Sequence, residues 1–251
     1  MPLTFDHSDF MLVTFILLLT GHLLGDFVCQ TNSMVANKKK PLILVLHVAV
    51  VTLVTGLILG VFHPLVLAIV FATHLLLDAL KTYRFPDNLR SFLIDQGLHL
   101  LVIFVIALKM PEFVGDSFWL DTGDLDLGLF YLKAMITLSA FILLVPAGGT
   151  LISKATQRFS TEIGDSLDGL KDGGKIIGYL ERSLVFLFIL VGHPGGIGFL
   201  VAAKSILRFG DIKDPGQRKV TEYIIIGTFL SFGWALLVSV LAQKAFEYFS
   251  S

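Results

Sequence analysis

Charge is scarce in this chain and cysteine almost missing. Only 16% of the 251 residues are Asp, Glu, Lys or Arg, 55% are hydrophobic, and the formal net charge is −1. That balance, with a mean hydropathy of +0.81, is far from a soluble domain and makes the lipid bilayer the main solvent of the chain. The near-zero net charge gives no global field for nucleic acid, and the basic residues fall in short loop clusters, so phosphate-backbone binding is a poor reading. The single cysteine, Cys29, rules out an intrachain disulfide and cannot alone make a thiolate metal site. No positive residue precedes the apolar run from Phe10 to Val28 and no small-residue cleavage site follows it, so it reads as a retained first span and not a signal peptide. Internal repeats and low-complexity tracts are also missing.

What the chain has instead is long apolar runs. A helix needs roughly 20 apolar residues to cross a hydrocarbon core, which predicts spans near 10–30, 42–62, 64–81, 91–110, 129–153 and 221–243. The fold class expected is all-α, a polytopic membrane helix bundle of about six spans plus a broken or re-entrant segment at 181–210. In that segment "HPGG" at 193–196 splits the apolar run into halves too short to cross alone. Lys38, Lys39 and Lys40 follow the first span, Lys81, Arg84 and Arg90 lie between the third and fourth, and Lys154, Arg158, Lys171 and Lys175 follow the fifth. The positive-inside rule puts these loops in the cytoplasm and the N-terminus outside. A re-entrant hairpin at 181–210 also returns Lys204, Arg208, Lys213, Arg218 and Lys219 to the cytoplasm. The expected organisation is a four-helix bundle over 1–110, an acidic extracytoplasmic loop over 111–128 with Glu112, Asp116, Asp121, Asp124 and Asp126, and a C-terminal membrane region over 129–251 with a cytoplasmic connector at 154–180.

Inside the first four spans stand residues that are costly there. "GHLLGDFVCQ" holds His22 and Asp26, the second span holds His47, "THLLLDALK" holds His74 and Asp78, and "DQGLHL" holds Asp95 and His99. Six of them form His/Asp pairs at i, i+4, which stack on one helix face. His47 lies seven positions after Lys40, His74 seven before Lys81 and His99 nine after Arg90, so all three sit about 10–14 Å in from those basic residues. Asp26, Asp78 and Asp95 are each one turn nearer the cytoplasm. Ionisable residues in membrane helices face the bundle interior and mark functional sites. Imidazole and carboxylate suit Zn, Fe, Mn and related divalent ions, with Zn first among them, and four His with three Asp suffice for one or two metals. Gln30 and Gln96 can orient ligands.

Such a metal lowers the pKa of bound water to about 7 and polarises a phosphoryl or carbonyl oxygen, with Asp26 or Asp95 as general base. The expected function is then a metal-dependent hydrolase of a lipid-linked or phosphoester substrate, with Lys81, Arg84, Arg90, Lys204 and Arg208 offered to an anionic substrate. Two other classes compete. One is a transporter of divalent cations or protons, against which stand the dry outer halves "VAVVTLVTGLILGVF" and "LVIFVIAL". The other is a non-catalytic protein whose bundle is clipped by metal or haem. More bluntly, one HxxxD pair is commonly a plain helix contact, Asp78 and Lys81 at i, i+3 make a plain salt bridge, and His7 and His63 are loop residues in water. His193 serves the chain break, and Gly173 and Gly174 make a flexible entry to an apolar segment more readily than a phosphate-binding turn.

At these motifs the chain resembles a bacterial family of integral membrane proteins known as domain of unknown function 3307. The matching features are "GHLLGDFVCQT", "HLLLDALK" and "DQGLHL", then "GGKIIGYLER", "GFLVAAKSILRFGDI" and "EYIIIGTFLSF". The resemblance implies a bacterial inner-membrane protein and no particular reaction. The His/Asp pairs within spans also look like those of predicted membrane-bound metal-dependent hydrolases, by analogy alone.

Overall fold

The computed structural model describes residues 6–121, 125–163, 172–208 and 218–250, and among them the chain is helical throughout, without strands. Six helical segments are long and apolar enough to cross a membrane: His7–Cys29, Pro41–Leu59, Pro64–Arg84, Leu89–Lys109, Asp126–Ile163 and Arg218–Tyr248. They correspond to the six expected spans. The chain divides into two compact units, Met1–Ile142 and Leu143–Ser251.

In the first unit, α1 (His7–Leu24) runs into a single π-helical turn at Gly25–Cys29, followed by the short α2 (Asn32–Ala36). Helices α3 (Pro41–Leu59), α4 (Pro64–Arg84), α5 (Leu89–Lys109) and α6 (Leu125–Ile142) complete it. The boundaries have local causes. Asp6 caps α1 reciprocally with Asp9, and the Ser8 hydroxyl, with the Asp9 amide, holds the Asp6 carboxyl below the ordinary carboxylate range. Pro41 and Pro64 open α3 and α4, where a missing N–H costs nothing. His63 caps α4, its Nδ1 accepting from the Val66 amide at 3.4 Å, so it is a helix cap and not simply a loop residue in water. His7, by contrast, is solvent-exposed and 3.6 Å from Glu112.

α1 is the central helix, packed against α3, α5 and α6. Val13, Leu17 and Leu18 are fully enclosed, whereas Leu42, Leu53, Leu57, Leu65 and Leu76 face outward. An apolar exterior around a core that holds polar residues inverts the pattern of a soluble bundle and fits lipid as solvent. α3 stops at Gly60, whose φ of 65° needs glycine. Over that end folds the segment after α5, where Val114 and Ser117 are buried and Trp119 Nε1 donates to Leu57 O at 2.8 Å, and Tyr131 of α6 donates to Ile58 O. The acidic segment is thus packed onto the bundle over 111–121; Asp124 lies outside the described residues.

The second unit holds a π-helical turn at Leu143–Ala147, then α7 (Gly148–Ile163), α8 (Gly173–Leu190), α9 (Gly195–Arg208) and α10 (Arg218–Tyr248). Lys171, Asp165, Asp168 and Lys213 lie outside the described residues. The "HPGG" break is present: Gly192 takes φ 70° and the His193 amide donates to Phe188 O at 2.8 Å. α8 and α9 fold back on each other, with Glu181 and Lys204 paired at 2.7 Å. At 14 residues, α9 rises only about 21 Å and is too short to span.

Candidate metal centre

All seven His and Asp residues of the first four spans come together in the first unit. His22, His47, His74, Asp78, Asp95 and His99 are each at most 5% exposed, and the Asp26 side chain is 9% exposed. α1 supplies His22, the π turn supplies Asp26, α3 supplies His47, α4 supplies His74 and Asp78, and α5 supplies Asp95 and His99.

The tightest grouping has four donor atoms. His47 Nε2 lies 3.3 Å from both Asp26 Oδ1 and Asp78 Oδ2, and His74 Nε2 lies 3.2 Å from Asp26 Oδ1 and 3.6 Å from Asp78 Oδ2. None of these approaches is aligned as a hydrogen bond, so Asp26 Oδ1 and both Nε2 atoms are buried without a hydrogen-bond partner. Buried polar atoms are nearly always satisfied; three that converge unsatisfied, beside an Asp78 oxygen that also meets Lys38 at 2.8 Å, resemble part of the ligand shell of an ion. These four N···O distances fall in the range of roughly 3.3–3.6 Å expected for the edges of a tetrahedral ion with N and O ligands at 2.0–2.2 Å, and three overlapping trios, His22–Asp26–His74, His47–His74–Asp78 and Asp78–Asp95–His99, have donor atoms all within 4.8 Å of one another. These imidazole and carboxylate trios could hold a divalent metal.

Charge supports the same fit. Lys38 Nζ sits 2.8 Å from Asp78 Oδ2 and Lys81 Nζ 2.6 Å from Asp95 Oδ2, while the ion-pair partners of Asp26 are the imidazoles of His22, His47 and His74. A buried carboxylate demands a compensating cation, and at Asp26 that means an imidazolium or a metal. The expected pair of Asp78 with Lys81 does not form. Each turns to a different neighbour, Asp78 to the turn before α3 and Lys81 across to α5.

Around the four donors lies a second set. His99 Nε2 and Asp95 Oδ1 are buried and unpartnered, and Asp78, Asp95 and His99 offer donor atoms within 4.8 Å of one another. His22 stacks on His99 with ring centroids 5.0 Å apart. Gln96 ties the sets together, its Oε1 3.3 Å from His22 Nε2 and its Nε2 donating to Asp95 Oδ2 at 3.1 Å and to Asp26 Oδ2 at 3.5 Å. The side chain of Gln30 makes no such bond, and its buried Nε2 is unpartnered.

Among the basic residues, Lys38 and Lys81 are part of the cluster and not a rim around it. Arg84 and Arg90 are exposed. Lys204 belongs to the second unit, where it pairs with Glu181, and the side chain of Arg208 lies outside the described residues.

Two features of the site were missed in the motif reading. Gly21 on α1 and Gly25, four residues on at the start of the π turn, let α3 approach: a Cβ on Gly21 would lie 2.7 Å from Thr55 Cα, and one on Gly25 3.0 Å from Val51 Cα. This is the small-xxx-small device of membrane helix pairs, and it brings His47 within reach of Asp26. Its signal, GHLLG, was in plain view. The π turn carrying Asp26 had no comparable signal; such wider turns recur at functional sites because they shift the angular phase of the residues they hold.

Residues 14–120 match the model of a family described as "Protein of unknown function (DUF3307)". No curated protein and no solved structure matches the chain. The motifs quoted from the C-terminal half lie beyond the matched segment, which narrows the resemblance to the N-terminal part. Over those residues, which hold all seven His and Asp side chains of the cluster, the chain resembles the DUF3307 family.

Proposed function

We propose that this is a multi-pass protein of the bacterial inner membrane whose first four spans hold a divalent transition metal, Zn first among candidates, and that it hydrolyses a lipid-linked or phosphoester substrate at the cytoplasmic face. Asp26, His47, His74 and Asp78 hold the ion. The observation that carries the reading is the set of four unaligned N···O distances from 3.2 to 3.6 Å that link Asp26 Oδ1, His47 Nε2 and His74 Nε2, none of which has a hydrogen-bond partner, with Asp78 Oδ2. When bound, the metal supplies a Lewis acid and an activated water. The chain's own part is to exclude lipid, orient ligands through Gln96 and take up a proton at Asp95, whose Oδ1 accepts no hydrogen bond while Lys81 holds Oδ2. Asp95 and His99 go beyond what a purely structural ion requires, and this favours chemistry.

A second reading has its own support. Four protein donors close a tetrahedral shell, as in structural sites, so the ion can be a clip that holds the helices together.

Elemental mass spectrometry on detergent-purified protein tests the shared premise. We expect about one or two equivalents of a transition metal, lost in a His47→Ala, His74→Ala variant that still elutes as a folded species. A metal-free protein, even after incubation with Zn, Mn and Fe salts, would sink both readings and leave a proton relay.

A further inference from the structure

The second unit contains a cavity that the metal reading does not use. It measures about 570 Å³ and is walled by α7, α8, α9 and α10, with Ile152, Ile177, Leu200 and Ile224 on its apolar side. A neighbouring cavity of about 580 Å³ shares Thr156, Gly178 and Arg182 with it and adds Lys175.

Arg182, common to both, is 3% exposed. Its guanidinium donates to Leu144 O, to Val145 O at 3.5 Å and to Ser231 Oγ at 2.9 Å. These bonds brace the π turn at Leu143–Ala147, where Trp234 Nε1 takes the Leu143 carbonyl at 2.7 Å. All three acceptors are neutral, however. Glu181 and Lys204 line the same cavity but are engaged with each other at 2.7 Å, and Arg182, 5.6 Å from the Tyr179 ring, forms no ion pair with a described carboxylate. A guanidinium has five N–H donors, so three bonds leave two of them over. An enclosed positive charge with neutral partners is costly, and an anion beside it removes the cost through charge-assisted, bidentate bonding.

We propose that this cavity binds the phosphate of an anionic lipid, with Arg182 on the headgroup and the α7, α8 and α10 wall on the start of its acyl chains. Two observations favour a lipid over free phosphate. The wall is largely hydrocarbon, and Ile177 on it is 52% exposed, so the cavity runs out to an apolar flank. It also runs from Gly174 and Tyr223, near the starts of α8 and α10, inward to Arg182 and Ser231, so a lipid entering from the flank has a path for its phosphate to reach the guanidinium. The site is independent of the metal centre.

The test is native mass spectrometry of the full chain released from nanodiscs of mixed phosphatidylglycerol and phosphatidylcholine. Wild type should retain one phosphatidylglycerol in preference to phosphatidylcholine. Arg182→Gln should lower that retention at least tenfold, but this variant also loses the brace on the π turn. Gly227→Leu is the cleaner probe, because Gly227 lines the cavity and a Cβ there meets only Thr156 Cγ2, at 4.0 Å. It adds bulk to the cavity from a position whose Cβ does not meet Arg182 and should lower retention by a similar factor in a folded protein. Retention blind to headgroup, retention untouched by Gly227→Leu, or displacement by inorganic phosphate alone would each overturn the proposal.

Discussion

Asp26 and Asp95 are both buried carboxylates one turn from a histidine, yet their surroundings assign them different work. Asp26 Oδ1 is 3.2 and 3.3 Å from two imidazole nitrogens and has no lysine, as a ligand would. Asp95 shares its charge with Lys81 at 2.6 Å, while its Oδ1 accepts no hydrogen bond and lies 3.8 Å from His99 Nδ1, as suits a base beside an ion. Two substitutions separate the roles. Asp26→Asn should abolish metal retention, since an amide is a poor ligand and leaves three imidazoles without their carboxylate. Asp95→Asn should keep the metal and lower turnover of any hydrolysed phosphoester by about 100-fold or more, the usual scale for a general base. Metal content and steady-state rate, measured on the same preparations, check both. Should Asp95→Asn leave the rate unchanged, the ion is a clip and the hydrolase reading falls. At this scale the sequence was a good guide to membership and a poor one to pairing. Seven costly residues at matched depth had to face one another. That Lys81 serves Asp95 and Lys38 serves Asp78 depends on which helices are neighbours, which spacing along one chain does not encode.

Elements set those neighbours, and here glycine decides. With Gly21 and Gly25 facing α3, backbone meets backbone, and His47 is carried to within 3.3 Å of Asp26. A leucine at position 21 would have to displace Thr55, whose Cα lies 2.7 Å from the site of its Cβ. Overpacking of this kind costs about 1–3 kcal/mol, and any outward shift of α3 stretches the donor quartet. Gly21→Leu should therefore lower the thermal midpoint and the metal content together, whereas Gly97→Ala, where a Cβ meets nothing within 4 Å, should change neither. Loss of stability with full metal occupancy would mean that helix approach does not set the site. The spans themselves were legible, because hydropathy over some twenty residues integrates many weak signals. The π turns at Gly25–Cys29 and Leu143–Ala147 were not, since a single inserted residue leaves composition and apolar run length unchanged. The break at 191–194 was visible through Pro194 and its glycines, two residues whose backbone limits are local.

For the whole molecule the open quantity is sidedness, and the lysines carry the expectation. Lys38, Lys39 and Lys40 precede α3, Lys81 and Arg84 close α4, and Arg90 lies in the first turn of α5. The segment after α5 instead brings Glu112 and Asp116. By the positive-inside rule we expect the first set in the cytoplasm, and with it the side from which the buried lysine–carboxylate pairs are reached. Single reporters in a Cys29→Ser background make this measurable with a membrane-impermeant maleimide. Ala36→Cys and Asp116→Cys, both at exposed positions, should label from opposite sides: position 36 in inside-out vesicles and position 116 in intact spheroplasts. The hairpin of α8 and α9 adds a third reporter. If it enters the bilayer and returns, His193→Cys at its exposed tip should resist labelling from both sides, because a 14-residue α9 leaves the tip within the hydrocarbon zone. Labelling of position 193 from outside would make the segment a crossing, reverse the side on which α10 begins, and set Lys219 against the rule that orients the rest.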